Sequence, residues 1–219
     1  MQRRGRLVSG PARSGTGASG SGGATAQVAA GSQWRQLGAL LGEAFQDDPV
    51  WMWVAPDPVR RARFLGPTFA QLIRNRVRAG TTWTNADLSG AAVWAEPDTW
   101  RAGPSEVLRM ALPMLRAVGG SRLKGRLEAL SNMERHHPKD PHWYLEVLGA
   151  DHAHRGQGIG TALLRPMLDR CDTEGVPAYL ESSKEANLAF YHRHGFEADE
   201  PLTLADGCPP VWPMWRDPR

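Results

Sequence analysis

Trp143-Tyr144-Leu145-Glu146-Val147-Leu148-Gly149-Ala150 alternates as a strand does, and Arg155-Gly156-Gln157-Gly158-Ile159-Gly160 follows it after a short gap. Thr161 to Cys171 then carries apolar residues at helical spacing, with Ala162, Leu163, Leu164, Met167 and Leu168 on one side. The order is strand, glycine loop, helix. A glycine loop that opens a helix aims several backbone N–H groups at one point, and the helix dipole adds partial positive charge there. The stretch therefore predicts a phosphate site.

Three loop patterns compete for it. A nucleoside triphosphate loop ends in Gly-Lys-Ser/Thr, whereas Gly160 is followed directly by Thr161. The dinucleotide fingerprint places its third glycine where Thr161 stands. The pattern Arg/Gln-x-x-Gly-x-Gly/Ala is filled in register by Arg155, Gly158 and Gly160.

Downstream, Val176 to Leu180 reads as a strand after a Glu174-Gly175 turn, and a β-helix-β unit of this length implies parallel neighbours. Asn187 to His194 predicts a helix stopped by Gly195, and Phe196 to Leu204 with Val211 to Arg216 predicts a closing hairpin. Upstream, Ala24 to Ala29 predicts a short strand. Ser32 is the expected N-cap of a helix carrying Trp34, Leu37, Leu41 and Phe45, which Asp47-Asp48-Pro49 ends. Val50 to Val54 reads as a loop or short helix near the site. Pro58 suits the first turn of a helix reaching Gly80, with Pro67 as a kink point. Thr81 to Thr84 and Ala91 to Ala95 predict a hairpin, and Ser105 to Val118 and Ser121 to Glu134 predict two helices.

The 219 residues suit one domain with a sizeable core. No apolar run reaches the roughly 18 residues of a membrane span, so no membrane is expected. Residues 1–23 hold Arg3, Arg4, Arg6 and Arg13 and no acid, and their Gly/Ser-rich composition predicts a disordered tail ahead of a single domain over 24–219. The remainder has 22 Lys+Arg against 23 Asp+Glu, a balance of −1, which argues against nucleic acid as a partner. Cys171 and Cys208 are too few for a disulfide framework, so a reducing, cytoplasmic setting is expected. His136-His137 lacks a third ligand at suitable spacing, and no metal is expected. Singly, most of the nine tryptophans read as core. The cluster including Trp51, Trp53, Trp94 and Trp143 reads in part as the wall of a flat apolar pocket.

The glycine motif and a second element, Asn187, Ala189, Tyr191, Gly195 and Phe196, together resemble the GCN5-related N-acetyltransferase family. Gly120-Ser121-Arg122-Leu123, His137-x-Lys139-x-Pro141, Gly175-Val176-Pro177-Ala178 and Leu180-Glu181-x-Ser183 are most similar to its puromycin N-acetyltransferase-like actinobacterial members. The resemblance implies an α/β fold, with a mixed sheet of six to seven strands and a splayed central parallel pair that binds acetyl-CoA. It implies direct acetyl transfer to a primary amine of a small molecule, such as an aminonucleoside or another antibiotic, in resistance or biosynthesis. Acetylation of a protein N-terminus or lysine, or acetyl-CoA binding without catalysis, remain alternatives. The chain would be a monomer or homodimer.

Carried over by position, Leu148 would donate its N–H to the thioester oxygen and Ala150 would hold the pantetheine arm. Gly149 between them is consistent with a β-bulge. Arg155, Gly156, Gln157, Gly158, Ile159, Gly160 and Thr161 would hold the pyrophosphate, and Asn187 the pantetheine. Tyr191 aligns with the family's general acid. For the base, alternation puts Glu146 on the face of Tyr144, the position where relatives carry a carboxylate. Glu181 and water are the other candidates. Trp51, Trp53, Trp94, Trp143 and Glu181 are the expected acceptor contacts.

Overall fold

The computed structural model describes residues 25–119 and 123–219. The expected tail over 1–23, and Gly120 to Arg122 of the subgroup pattern, lie outside the described residues. Seven strands form one sheet: β1 (Ala26–Val28), β2 (Thr82–Asn85), β3 (Gly90–Ala95), β4 (Trp143–Ala150), β5 (Ala178–Ser182), β6 (Glu197–Ala198) and β7 (Trp212–Arg216). Their order across the sheet is β1-β2-β3-β4-β5-β7-β6. All neighbours are antiparallel except β4 and β5. The helices are α1 (Trp34–Ala44), α2 (Pro49–Val54), α3 (Pro58–Ala79), α4 (Pro104–Val118), α5 (Leu123–His136), α6 (Ile159–Glu174) and α7 (Leu188–Arg193). This is the mixed α/β sheet expected. None of the described helices is long and apolar enough to cross a membrane.

Local chemistry explains several boundaries. Asp48 accepts from the N–H groups of Val50 and Trp51, and Asp57 from those of Val59 and Arg60, each just ahead of a first-turn proline. Asp48 therefore begins α2 as well as following the end of α1. The N-cap of α1 is Gln33 and not Ser32, and its side chain makes no cap bond within the helix. The Gln33 carboxamide oxygen instead accepts from the N–H of Ala30, bracing the turn outside the helix. Helix α3 runs through Pro67 without a break in its span.

The two faces of the sheet carry separate cores. One, under α6 and α7, contains Trp94, Trp143, Leu163, Leu164, Met167 and Phe196. The other, under α1 and α3, contains Leu37, Leu41, Leu65, Phe69, Ile73 and Val147. α1 and α3 approach backbone to backbone, since a Cβ on Gly42 would stand 2.5 Å from the Cα of Gly66. Trp94 and Trp143 belong to the α6 core, at 0% and 2% exposure, which corrects their expected place in an acceptor pocket. Alternation along β3 and β4 turns both rings to the far face, and the Trp143 indole N–H donates to Glu174 at 2.9 Å.

An ion pair fastens the last strand. Arg216 of β7 donates from both terminal nitrogens to Asp172 of α6 at 2.7 and 2.8 Å, and from Nε to the carbonyl of His194 at 3.0 Å. The hydrogen bonds from Arg216 hold the Asp172 carboxyl below the usual carboxylate range. Its stabilising contribution is therefore complete above the unfolded carboxyl pKa and is lost as pH falls through the lower folded value. Asp172→Asn should cost about 1.5–3 kcal/mol at neutral pH. The gap to wild type should close in acid, as denaturant unfolding across pH will show; a gap independent of pH would remove the linkage.

Candidate active site

β4 and β5 pair only at Trp143↔Ala178 and Tyr144↔Tyr179, then part. The N–H of Asp151 donates to Ser89 on the β3 side at 2.8 Å. Counting back in steps of two puts the N–H and C=O of Ala150 and Leu148 on the opposite side, toward the gap. The register between β3 and β4 slips between Val93 and Trp94, so that Val93 faces Val147 and Trp94 faces Leu145. Glu146 is the extra residue, and the bulge lies there and not at Gly149. As a result Glu146 and Val147, although consecutive, both line the cavity on the α1–α3 side. Gly149 answers a different need: a Cβ there would stand 2.8 Å from a Leu41 methyl and 3.1 Å from the Phe45 ring.

Two cavities meet where the strands part. The larger, about 640 Å³, runs along Leu148, Gly149 and Ala150 to the glycine loop, with Asn187 and Tyr191 on its other wall. Arg155, Gly156, Gly158, Ile159, Gly160 and Thr161 all line it, whereas Gln157 does not, its side-chain amide turning back to the carbonyl of Ala153. Gly156 and Gly158 have φ of 78° and 79°, and nothing stands within 4 Å of a Cβ on either. Backbone conformation, not space, demands glycine there. Gly158 caps α6, so the N–H groups of Ile159, Gly160 and Thr161 have no carbonyl within the helix to meet. Helix-start donors, left-handed glycines and the bare edge of β4 fit a diphosphate joined to an extended amide chain, which is the build of coenzyme A.

The smaller cavity, about 380 Å³, is walled by Phe45, Trp51, Trp53, Phe69, Met114 and Met133 among others. Trp51 and Trp53 reach it from α2. Phe45, Asp48, Glu146, Val147, Glu181 and Ser183 line both cavities. Among the described residues no group of three or more His, Cys, Asp and Glu side chains could hold a metal ion, and both cysteines are free thiols.

The titratable groups at the junction differ in their surroundings. Glu146 receives Arg76 of α3 at both oxygens, at 2.9 and 3.0 Å. Burial nevertheless pushes its carboxyl up, with the guanidinium opposing. Both oxygens are engaged by the guanidinium, so an incoming amine must compete with Arg76 for them. Asp48 is 2% exposed; burial raises its carboxyl, one of whose oxygens caps α2 while the other accepts from the Ser183 hydroxyl. Burial, then the charge of Asp48, keeps the Tyr191 phenol protonated well above its ordinary range. Glu181 lies beside the phenols of Tyr144 and Tyr179 and faces His137. Arg76, His137 and Tyr179 were not legible as site residues, because each reaches the site only through tertiary packing.

Replacing Gly158 by Ala forces an L-residue into the left-handed region at a cost of about 1–2 kcal/mol. Acetyl-CoA binding measured by calorimetry should weaken by roughly tenfold, and unchanged affinity would show that the loop does not bear on the ligand.

The Acetyltransferase (GNAT) family model matches residues 104–196. The chain is similar to an uncharacterized N-acetyltransferase of Schizosaccharomyces pombe, at 26% identity over 185 residues, which are 78% of this chain and 73% of that protein. It is also similar to a Corynebacterium glutamicum structure described as histone acetyltransferase HPA2 and related acetyltransferase. There the identity is 25%, with 89% of this chain and 96% of that one covered and a TM-score of 0.64. Arylalkylamine N-acetyltransferase 2 of Aedes aegypti shares the fold at 11% identity, covering 89% of this chain and 98% of that one with a TM-score of 0.62. With the glycine loop, the parted strands and the helix that carries Tyr191, these likenesses support one conclusion: the chain has the fold of the GNAT acetyltransferases and is an acetyl-CoA-dependent N-acetyltransferase.

Proposed function

We propose that the acceptor is a small primary amine with a bulky apolar, largely aromatic body. The observation that carries this is the smaller cavity. Its walls are aromatic and aliphatic, and its acidic groups, Asp48, Glu146 and Glu181, gather at the end that opens on the parted strands. An apolar body fills the tryptophan-lined end, and the amino group reaches the junction. The subgroup resemblance makes an aminonucleoside antibiotic the leading candidate within this class, with resistance or biosynthesis as the role.

Acetyl-CoA supplies the acetyl group as a thioester. Ile159, Gly160 and Thr161 present N–H groups to its diphosphate, and Asn187, exposed on the cavity wall, serves the pantetheine. The N–H of Leu148 faces the gap and is the donor we assign to the carbonyl oxygen, where charge develops. Tyr191 is the proton donor to the departing sulfur, and its buried, protonated phenol suits that task. Trp51 and Trp53 hold the acceptor's body.

Coenzyme A release should be followed with a thiol reagent against puromycin, arylalkylamines, polyamines and peptide N-termini. Turnover is expected with aromatic amines, and preference for peptides or polyamines would overturn the acceptor assignment. In Tyr191→Phe, kcat should fall by about 10²-fold or more while acetyl-CoA affinity stays within about twofold. An unchanged kcat would end the general-acid role.

A further inference from the structure

A histidine pair buried behind the acceptor cavity orders its own protons. His142 Nδ1 lies 2.6 Å from the carbonyl oxygen of Asp140. A carbonyl only accepts, so this nitrogen carries the proton. Burial pushes the His142 ring down from its ordinary range, which favours the neutral form and leaves Nε2 as a lone pair. That Nε2 stands 3.1 Å from Nε2 of His137. His137 must donate there, and in its neutral form its other nitrogen, Nδ1, is bare. Nδ1 faces Oε1 of Glu181 at 3.6 Å. The carbonyl of Asp140 thus dictates, through two rings, that a lone pair stands opposite the carboxylate.

Several contacts hold this alignment. Trp100 stacks on the His137 ring at a centroid distance of 3.8 Å. Tyr144 and Tyr179 meet the same ring edge-on at 4.8 and 5.1 Å, with their phenols beside Glu181. His137 and His142 are 6% and 4% exposed. Among the described residues, the charged and titratable groups facing the assembly include Tyr144 and Glu146 of β4, Tyr179 of β5, Asp98 of the loop after β3 and Asp199 after β6.

We propose that Glu181 is the base that takes the proton of the acceptor amine, and that His137, oriented by His142, is the positioning residue that shares it. This rests on the N-acetyltransferase reading. Once protonated, Glu181 faces an acceptor, the bare Nδ1 of His137 at 3.6 Å, where Glu146 faces the cation of Arg76. In the step, the amine nitrogen bonds to the acetyl carbon and the carbon–sulfur bond breaks. The sulfur takes the Tyr191 proton, and the proton from nitrogen goes to Glu181. Solvent then removes one proton and restores the other, so charge balances over the cycle.

The test compares pH–rate profiles of wild type, Glu181→Gln, His137→Gln and Glu146→Gln with the best amine of the panel. Acetyl-CoA binding serves as the check that each is folded. Glu181→Gln should lose about 10²–10³-fold in kcat/KM together with the acidic limb of the profile. His137→Gln should lower kcat by about tenfold at constant KM and displace that limb. Glu146→Gln should keep it. An acidic limb retained in Glu181→Gln would overturn the proposal. Imidazole nitrogen spectra of the histidine-labelled protein give a reading that needs no turnover. The neutral rings should carry protons on Nδ1 of His142 and Nε2 of His137, and a neutral His137 protonated on Nδ1 would refute the pair's alignment. Absence of coenzyme A release by wild type with every amine would instead defeat the acceptor reading, leaving the nitrogen spectra to judge the pair.

Discussion

The parting of β4 from β5 after two paired residues is the constraint on which the molecule depends. Parallel strands this close would normally continue their ladder, because unpaired backbone groups in an interior are costly. Here the groups of Leu148 and Ala150 face a cavity, where a ligand can satisfy them. Everything around the gap keeps it open. α6 starts at one end of it, α7 brings Tyr191 to its far wall, and the bulge at Glu146 turns two consecutive side chains to the acceptor side.

The bulge also settles how charge is disposed. Without the extra residue, Glu146 and Val147 would face opposite sides of the sheet. With it, Val147 joins Glu146 on the side where Glu146 meets Arg76, seventy residues earlier in the chain. The pair is buried and doubly hydrogen-bonded, so removing either partner would strand a charge. A group held so firmly suits bracing the bulge better than exchanging protons. Glu181, at the end of β5, has two phenols and an imidazole around it instead.

Much of this was legible in the sequence. The glycine loop, the flanking strands, the early hairpin and the Asn187–Tyr191 helix are local patterns, and local patterns carry their own periodicity. Each falls in the structure within a few residues of its expected place. The misreadings have a common cause. Alternation from Tyr144 to Glu146 looks the same whether or not Glu146 is the bulged residue. Trp94 of β3 and Trp51 of α2 look alike in composition, yet one packs under α6 and the other against Phe69 of α3, a difference set by tertiary packing. Ser32 is a better capping residue than Gln33 by propensity, but the turn bond to Ala30 decides the start of α1. The partners of Glu146 and Glu181 arrive from distant segments, which no single-chain pattern announces.

The turn between α1 and α2 touches both halves of the site at once. Asp47 pairs with Lys184 at 2.8 Å and with Arg155 of the glycine loop at 3.6 Å, while its neighbour Asp48 meets Ser183 and begins the helix of Trp51 and Trp53. Any anion that draws Arg155 or Lys184 toward itself must compete with Asp47 for them. Occupancy of one cavity is thereby linked to the rigidity of the other's wall. Linkage of this kind is reciprocal: whatever factor the donor changes in the acceptor's affinity, the acceptor returns to the donor.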